Sequence, residues 1–269
     1  DIYKGSYYNN PQYDRPFDDE EIIKKWPTFA HPNIWPEEIP ELRNAFMELG
    51  QLIVEVGVLL SRQCDHHIKS HLPSYKEKQI STIIKNSRVA KARLLHYFAV
   101  DEFENKECGE DEAWCGWHND HGSLTGLTPA LYLDQEGNEV PNPDPEAGLY
   151  IKSRKGELVQ VKYPSDHLAF QIGETAQIHS GGVLLATPHY VRSAKNEAAK
   201  GITRETFAVF MEPEFDYEMA PPENRVEQVL KGTTLEYLPE GVPQLKDRWV
   251  PKDDFGTFSE KTFASYYQD

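Results

Sequence analysis

The stretch Trp117-His118-Asn119-Asp120-His121-Gly122-Ser123-Leu124-Thr125 decides how this chain is read. His118 and Asp120 stand two apart, so on a strand their imidazole and carboxylate share one face. Such a pair supplies two of the three donors of a 2-His-1-carboxylate facial set, which leaves positions open on a ferrous ion. Alone, the pair reads more readily as a hydrogen-bonded core or surface couple, because short motifs recur by chance. A third donor would be a histidine far along the chain and close in space. His189 is the candidate, placed after an expected strand at 182–186. Taken singly, it reads as a turn histidine behind Pro188.

Around this stretch the texture is that of many short strands. Alternating or apolar runs occupy 93–100, 123–133, 148–151, 158–163, 168–172, 182–186 and 203–211. Turn-forming clusters at 135–137, 141–145, 155–156, 164–166 and 181–182 separate them, which indicates a sandwich or barrel. In the last run Arg204 and Thr206 share a face flanked by apolar residues. A buried arginine needs an anion, and a guanidinium fork beside a hydroxyl suits a carboxylate. A structural arginine–acid pair is the other reading of the same residues.

Upstream, residues 1–40 read as an extended arm anchored by Tyr7, Tyr8, Tyr13, Phe17 and Trp26, with a short helix at 18–25. Leu42, Phe46, Leu49, Ile53, Val56 and Leu60 then form one apolar stripe of helical period, with Pro40 at a tolerated helix start. A second helix is expected at 76–86. Downstream, 216–269 is mixed and proline-containing, closing on a helix from Ser259, as N-cap, to Tyr267. The expected fold is mainly β with α additions: an N-terminal arm and helices over 1–90, a double-stranded β-helix (jelly-roll) core over 91–213, and a C-terminal lid segment over 214–269, in one compact domain.

Composition narrows the partners. The 269 residues carry 28 Lys and Arg against 44 Asp and Glu, a net charge of −16. Nucleic acid and anionic membrane surfaces are therefore poor partners, because phosphates require Lys and Arg to replace their counterions. Hydrophobic content of 39% is too rich for a disordered chain. Cys64, Cys108 and Cys115 are an odd set without repeating spacing, expected as reduced thiols in a cytoplasmic protein. No run comes near the roughly 18 apolar residues of a membrane span, and residues 1–10 do not resemble a signal peptide.

Several blocks, in order, resemble one family. Tyr97, His118-x-Asp120, His189 and Arg204-x-Thr206 follow the pattern of the 2-oxoglutarate and Fe(II)-dependent oxygenases, specifically the isopenicillin-N-synthase-like, plant-type branch. The segment 118–127 is similar to the family's H-T-D-x-G-x-L-T-x-L, and Gly148-Leu149-Tyr150-Ile151 with Val159-Gln160-Val161 resembles its G-L-Q-V and W-V-x-V hairpin. Ile172-Gly173-Glu174-Thr175-Ala176-Gln177 with Ser180-Gly181-Gly182 resembles I-G-D-x-x-Q-x-x-S-N-G. The resemblance covers about 91–213.

It implies that His118, Asp120 and His189 hold Fe(II). It further implies that Arg204, Thr206 and Tyr97 receive the distal carboxylate of 2-oxoglutarate, that O2 is the second cosubstrate, and that ascorbate is a candidate reductant. The implied reaction oxidises an unactivated C–H bond of a small molecule, by hydroxylation, desaturation or cyclisation, in a protein taken by default as a monomer. Trp117, His121, Tyr132, Tyr190 and Arg192 are candidates for the substrate wall. The alternatives are a non-catalytic jelly-roll binding module and a 2-oxoglutarate-independent Fe(II) oxidase.

The chain departs from the pattern in places. Leu95 stands for the family asparagine, Glu174 for its aspartate, and Tyr190 for the arginine after the distal histidine, with Arg192 two further on. Residues 134–146 and 195–201 look inserted. Outside the resemblance, Cys64-Asp65-His66-His67 with His71 reads as a polar helix face, with a metal site as the lesser alternative. The acidic runs at 18–21 and 107–112 lack calcium-loop spacing and read as solvated surface.

Overall fold

A computed structural model describes residues 3–99, 113–222, 224–231 and 237–266. Cys108, the acidic run at 107–112 and the end of the expected C-terminal helix at Tyr267 lie outside these residues. Two antiparallel sheets form the core. The larger runs in the order β1 (Lys4–Asn9), β2 (Lys91–Tyr97), β11 (Thr203–Met211), β4 (Leu124–Leu127) and β9 (Ala169–Ile172). Strand β5 (Leu131–Leu133) also pairs with β11 and carries β6 (Glu139–Val140). The smaller sheet runs β3 (Ala113–His118), β10 (His189–Arg192), β7 (Gly148–Lys152) and β8 (Leu158–Gln160).

Strand alternation on β11 explains the layering. Phe207, Val209 and Met211 face outward and pack with Phe46, Ile53 and Val54 of the helix α3 (Glu41–His71). The alternate residues face the space between the sheets, where Ala208 and Phe210 meet Leu95, Tyr97 and Val191. With both faces covered, the strand reads as a nearly continuous apolar run. The close seating of α3 depends on missing side chains: a Cβ on Gly126 would land on Cγ2 of Ile53, and one on Gly57 on Sδ of Met211. Gly126→Ala is expected to cost about 1–3 kcal/mol through overpacking, read as a lowered Tm.

The helix α3 extends to His71, eleven residues beyond the stripe that predicts it, and takes in Cys64 to His71. By length and composition it is apolar enough to cross a membrane, against the expectation that no segment would be. Its residues Phe46, Ile53, Val54 and Ile68 are buried on the sheet and on α4 (Gln79–Asn86), as in the core helix of a globular domain. Cys64 and Cys115 are free thiols.

Four further expectations are corrected. The arm contains an edge strand, β1, in full register with β2; its Lys-Gly-Ser opening hides the strand signal. The expected strand 123–133 is two, β4 and β5, parted by Thr128-Pro129-Ala130; proline cannot donate to a ladder. The expected strand 182–186 is a turn following α5 (Glu174–His179), because Gly181 and Gly182 hold φ of +63° and +77°, a region glycine enters freely. The C-terminal helix α7 (Phe255–Tyr266) starts four residues earlier than expected. Asp254 Oδ1 accepts the Thr257 amide at 2.8 Å and caps it, so Ser259 lies inside the helix. The N-terminal helix α1 (Glu20–Lys25), capped by Asp19, lies within the expected 18–25.

His179 at the end of α5 is fully buried, with Nε2 3.1 Å from the Glu218 carbonyl and Nδ1 without a partner. Burial pushes its pKa down to about 4, and the bond to Glu218 offsets only part of this. The unfolded chain protonates near pH 6.5, so between pH 6.5 and 4 the unfolded state binds more protons. The stability from a neutral His179 is complete above pH 6.5 and falls as pH drops toward 4, by about 3 kcal/mol in all. Urea midpoints for wild type and His179→Gln at pH 7 and 4.5 check this: the acid loss should be smaller in the variant.

Candidate active site

The three predicted metal donors meet at one end of the two sheets. His118 is the last residue of β3, His189 the first of β10, and the two face each other directly in the antiparallel register. Asp120 lies just past β3, in the turn that carries the chain to β4 on the other sheet. Its Oδ1 is 3.9 Å from His118 Nε2 and 3.7 Å from His189 Nε2. Each imidazole Nδ1 is held by a nearby backbone carbonyl: His118 by Gly116 at 2.8 Å, His189 by Thr187 at 3.0 Å. These bonds orient both Nε2 atoms toward the shared space.

Asp120 Oδ2 is buried without a partner. Among the described residues this is the one group of three such side chains whose donor atoms lie close enough to hold a metal, all within 4.8 Å. Two neutral imidazoles and one carboxylate with an open remaining side fit a ferrous ion. His67 and His71 approach to 4.3 Å between ring centroids but gather no third donor among the described residues.

The site is strongly polarised. Burial works against the charge on Asp120, and the two histidines outweigh it and hold the carboxyl below its usual range. Burial also disfavours protonated His118, but Cys115, whose Sγ is 3.8 Å away, and Asp120 raise its pKa to about 9. Burial pushes His189 down to about 4. A metal ion therefore meets one ligand already neutral and one that must release a proton.

Beside the donors a cavity of about 480 Å³ runs between the sheets. Arg204 on β11 stands opposite Tyr97 on β2 and Tyr132 on β5. Its guanidinium lies 4.9 Å from the Tyr97 ring centroid, and its Nε and Nη1 are buried without a hydrogen-bond partner. Thr206, two residues on, lines the same cavity, as do Tyr97, Tyr132 and Leu95. A buried cation with unfilled donors is costly unless an anion completes it.

The remaining candidates are placed differently. His121 stacks on Phe255 of α7, with Nε2 3.1 Å from Ser259 Oγ. Trp117 pairs with Tyr190 at 4.4 Å. Tyr190 and Arg192 alternate with the inward His189 and Val191 and do not line the cavity beside the donors; Arg192 meets Glu146 at 3.3 Å.

Sequence reasoning missed the clamp on the Asp120 turn. Glu174 donates its amide to the Asp120 carbonyl at 2.8 Å and accepts from Asn119 Nδ2 at 3.1 Å. Its carboxylate is paired in the interior with Arg248 at 2.5 Å, and Arg248 also donates to Thr262 of α7 at 2.9 Å. Tyr266 of α7 accepts the Asn119 amide at 3.2 Å. Glu174 had a signal in its motif, whereas Arg248 sits in a segment without one. Gln171 on β9 was also missed: its amide lines the cavity, with Oε1 buried and unpartnered.

No protein-family model matches this sequence, and no curated protein matches it. Solved structures do. A 2OG-Fe(II) oxygenase family protein from Caulobacter crescentus aligns with a TM-score of 0.65 at 20% identity, over 97% of this chain and 68% of that one. A full-length protein from Neurospora crassa, in complex with α-KG, aligns at 0.63 and 15% identity, over 97% and 70%. The dioxygenase for auxin oxidation 1 from Arabidopsis thaliana, in a 2-oxoglutarate complex, aligns at 0.54 and 18%, over 88% and 70%. Bacterial, fungal and plant proteins all align, so the plant-type branch is not singled out. At these identities it is the fold that is shared, and that fold is the jelly roll of the 2-oxoglutarate and Fe(II)-dependent oxygenases.

Proposed function

We propose that this protein is an Fe(II)- and 2-oxoglutarate-dependent oxygenase that oxidises a C–H bond of a small molecule. The observation that carries this reading is the open His118–Asp120–His189 donor set beside the buried, unpaired guanidinium of Arg204. His118, Asp120 and His189 would hold Fe(II). Arg204 would receive the distal carboxylate of 2-oxoglutarate, with the Thr206 hydroxyl and Tyr97 beside it. Leu95 offers no hydrogen bond where the family carries asparagine, and Gln171 is a polar amide in the same cavity.

Iron with its cosubstrate supplies the oxidant, and the overall balance for hydroxylation is substrate, 2-oxoglutarate and O2 going to hydroxylated product, succinate and CO2. The chain's own part is to ligate, to orient two ligands and to exclude water. The structures in complex with 2-oxoglutarate named above support the cosubstrate. The free thiols support a cytoplasmic setting, and the charge of −16 supports a small molecule over nucleic acid.

Purified protein given Fe(II) and 2-oxoglutarate without oxygen should develop a visible charge-transfer band, and turnover should yield succinate in step with O2 consumed. O2 consumption without succinate would make it a 2-oxoglutarate-independent oxidase, and no band at all would leave a binding module. Arg204→Gln is expected to raise the 2-oxoglutarate concentration for half-maximal turnover by about 10- to 100-fold, the worth of a charge-assisted fork, measured by succinate release.

A further inference from the structure

We propose that the substrate is a small organic acid bearing a flat ring, bound in a second chamber on the other side of the metal donors with its acid group against Lys91 and Arg93. This rests on the oxygenase reading above. The chamber encloses about 320 Å³ and shares Arg93, Cys115, His118, Asp120 and Phe210 with the larger cavity, so an occupant lies next to the metal position without displacing an anion at Arg204. Its volume is at the low end of ligand pockets, which run from about 300 Å³.

The charge lining it runs against that of the whole chain. Alternation on β2 turns Ala92 and Leu94 toward α3 and leaves Lys91 and Arg93 facing the chamber. Lys4 on the neighbouring strand adds a third cation, whose Nζ donates to Cys115 Sγ at 3.0 Å. Against these three the described walls carry one acid besides Asp120, namely Glu212. Burial holds Lys91 below its usual pKa, with Glu212 only partly offsetting it. Arg93 donates to Ser6 Oγ at 3.0 and 2.6 Å and lies over the Tyr8 ring. Among the described residues neither Lys91 nor Arg93 reaches ion-pair distance of a carboxylate, and Glu212 lies 3.7 Å from His121 Nε2. A buried ammonium and a guanidinium that closes no ion pair favour an anionic ligand. The other walls are flat and apolar, Trp117, Phe210 and Phe263 among them, which suits a ring in stacked or edge contact.

The probes are trans-cinnamate and phenylacetate, with their neutral amides as controls, titrated against the protein with Fe(II) and 2-oxoglutarate under anaerobic conditions and read by tryptophan fluorescence. The acids should bind at least about tenfold more tightly than the amides. Lys91→Met and Arg93→Gln should each collapse that preference, and Arg62→Gln, on a distant face of α3, should leave it intact. Equal binding of the amides, no saturable binding by either acid, a preference that survives both chamber variants, or one that Arg62→Gln also erases would overturn the proposal. The charge-transfer band separates the two claims. A band without acid preference removes the substrate class and keeps the oxygenase. Acid preference without a band removes the oxygenase and keeps the anion chamber.

Discussion

His189→Ala and Asp120→Ala should each abolish Fe(II) binding at micromolar metal and lower turnover by at least about a thousandfold, because several kcal/mol of metal chemistry are lost at once. The geometry allows no substitute: among the described residues no fourth His, Cys, Asp or Glu joins the three donors. His189 is fixed by its pairing with His118 across β3 and β10 and by its Nδ1 bond to the Thr187 carbonyl. The loss should therefore be one of ligation, with the fold retained. Equilibrium binding of Fe(II) and the thermal midpoint of metal-free protein check both parts. Asp120→Ala should lower the metal-free midpoint modestly, since it removes the carboxylate that the two histidines hold ionised against burial. Metal binding undiminished in both variants would remove the proposed site.

Arg248→Ala is expected to cost about 3–5 kcal/mol of stability, the cost of leaving one partner of a buried ion pair alone. The side chains of Arg248 and Glu174 are 2% and 1% exposed, so neither water nor salt replaces the lost charge. The double variant Arg248→Met with Glu174→Gln should recover much of the loss, because the buried pair is then replaced by neutral groups of similar size. A chemical-denaturation double-mutant cycle reads this coupling directly. Fe(II) affinity should fall in Arg248→Ala as well, since Glu174 fastens the turn that presents Asp120. A single variant as stable as wild type would show that the pair contributes nothing net.

Much of this site is legible from residue order alone. His118-x-Asp120 and Arg204-x-Thr206 are local patterns whose side-chain directions follow from strand alternation, and β11 matches its apolar run from Thr203 to Met211. His189 was within reach only as a single histidine following a supposed strand. That strand is instead a glycine turn, and His189 opens β10. Tyr190 and Arg192 share a strand with His189, yet strand alternation turns them away from it. Local context cannot say which face of so short a strand looks inward, because that depends on the partner sheet.

What the chain order determined by itself is the chemistry on offer: two imidazoles, a carboxylate and a guanidinium, carried on short strands in a sequence rich enough in apolar residues to bury them. Tertiary structure alone decided how they are used. The Glu174–Arg248 pair, the seating of α7 against the Asp120 turn and the convergence of Lys4, Lys91 and Arg93 join residues up to 147 positions apart, as Asn119 and Tyr266 show. Such contacts leave no local periodicity, since what places each residue is the packing of other elements. An acidic chain can thus enclose cation-lined chambers: net charge describes the whole surface, and a pocket takes its charge from the few strands that line it.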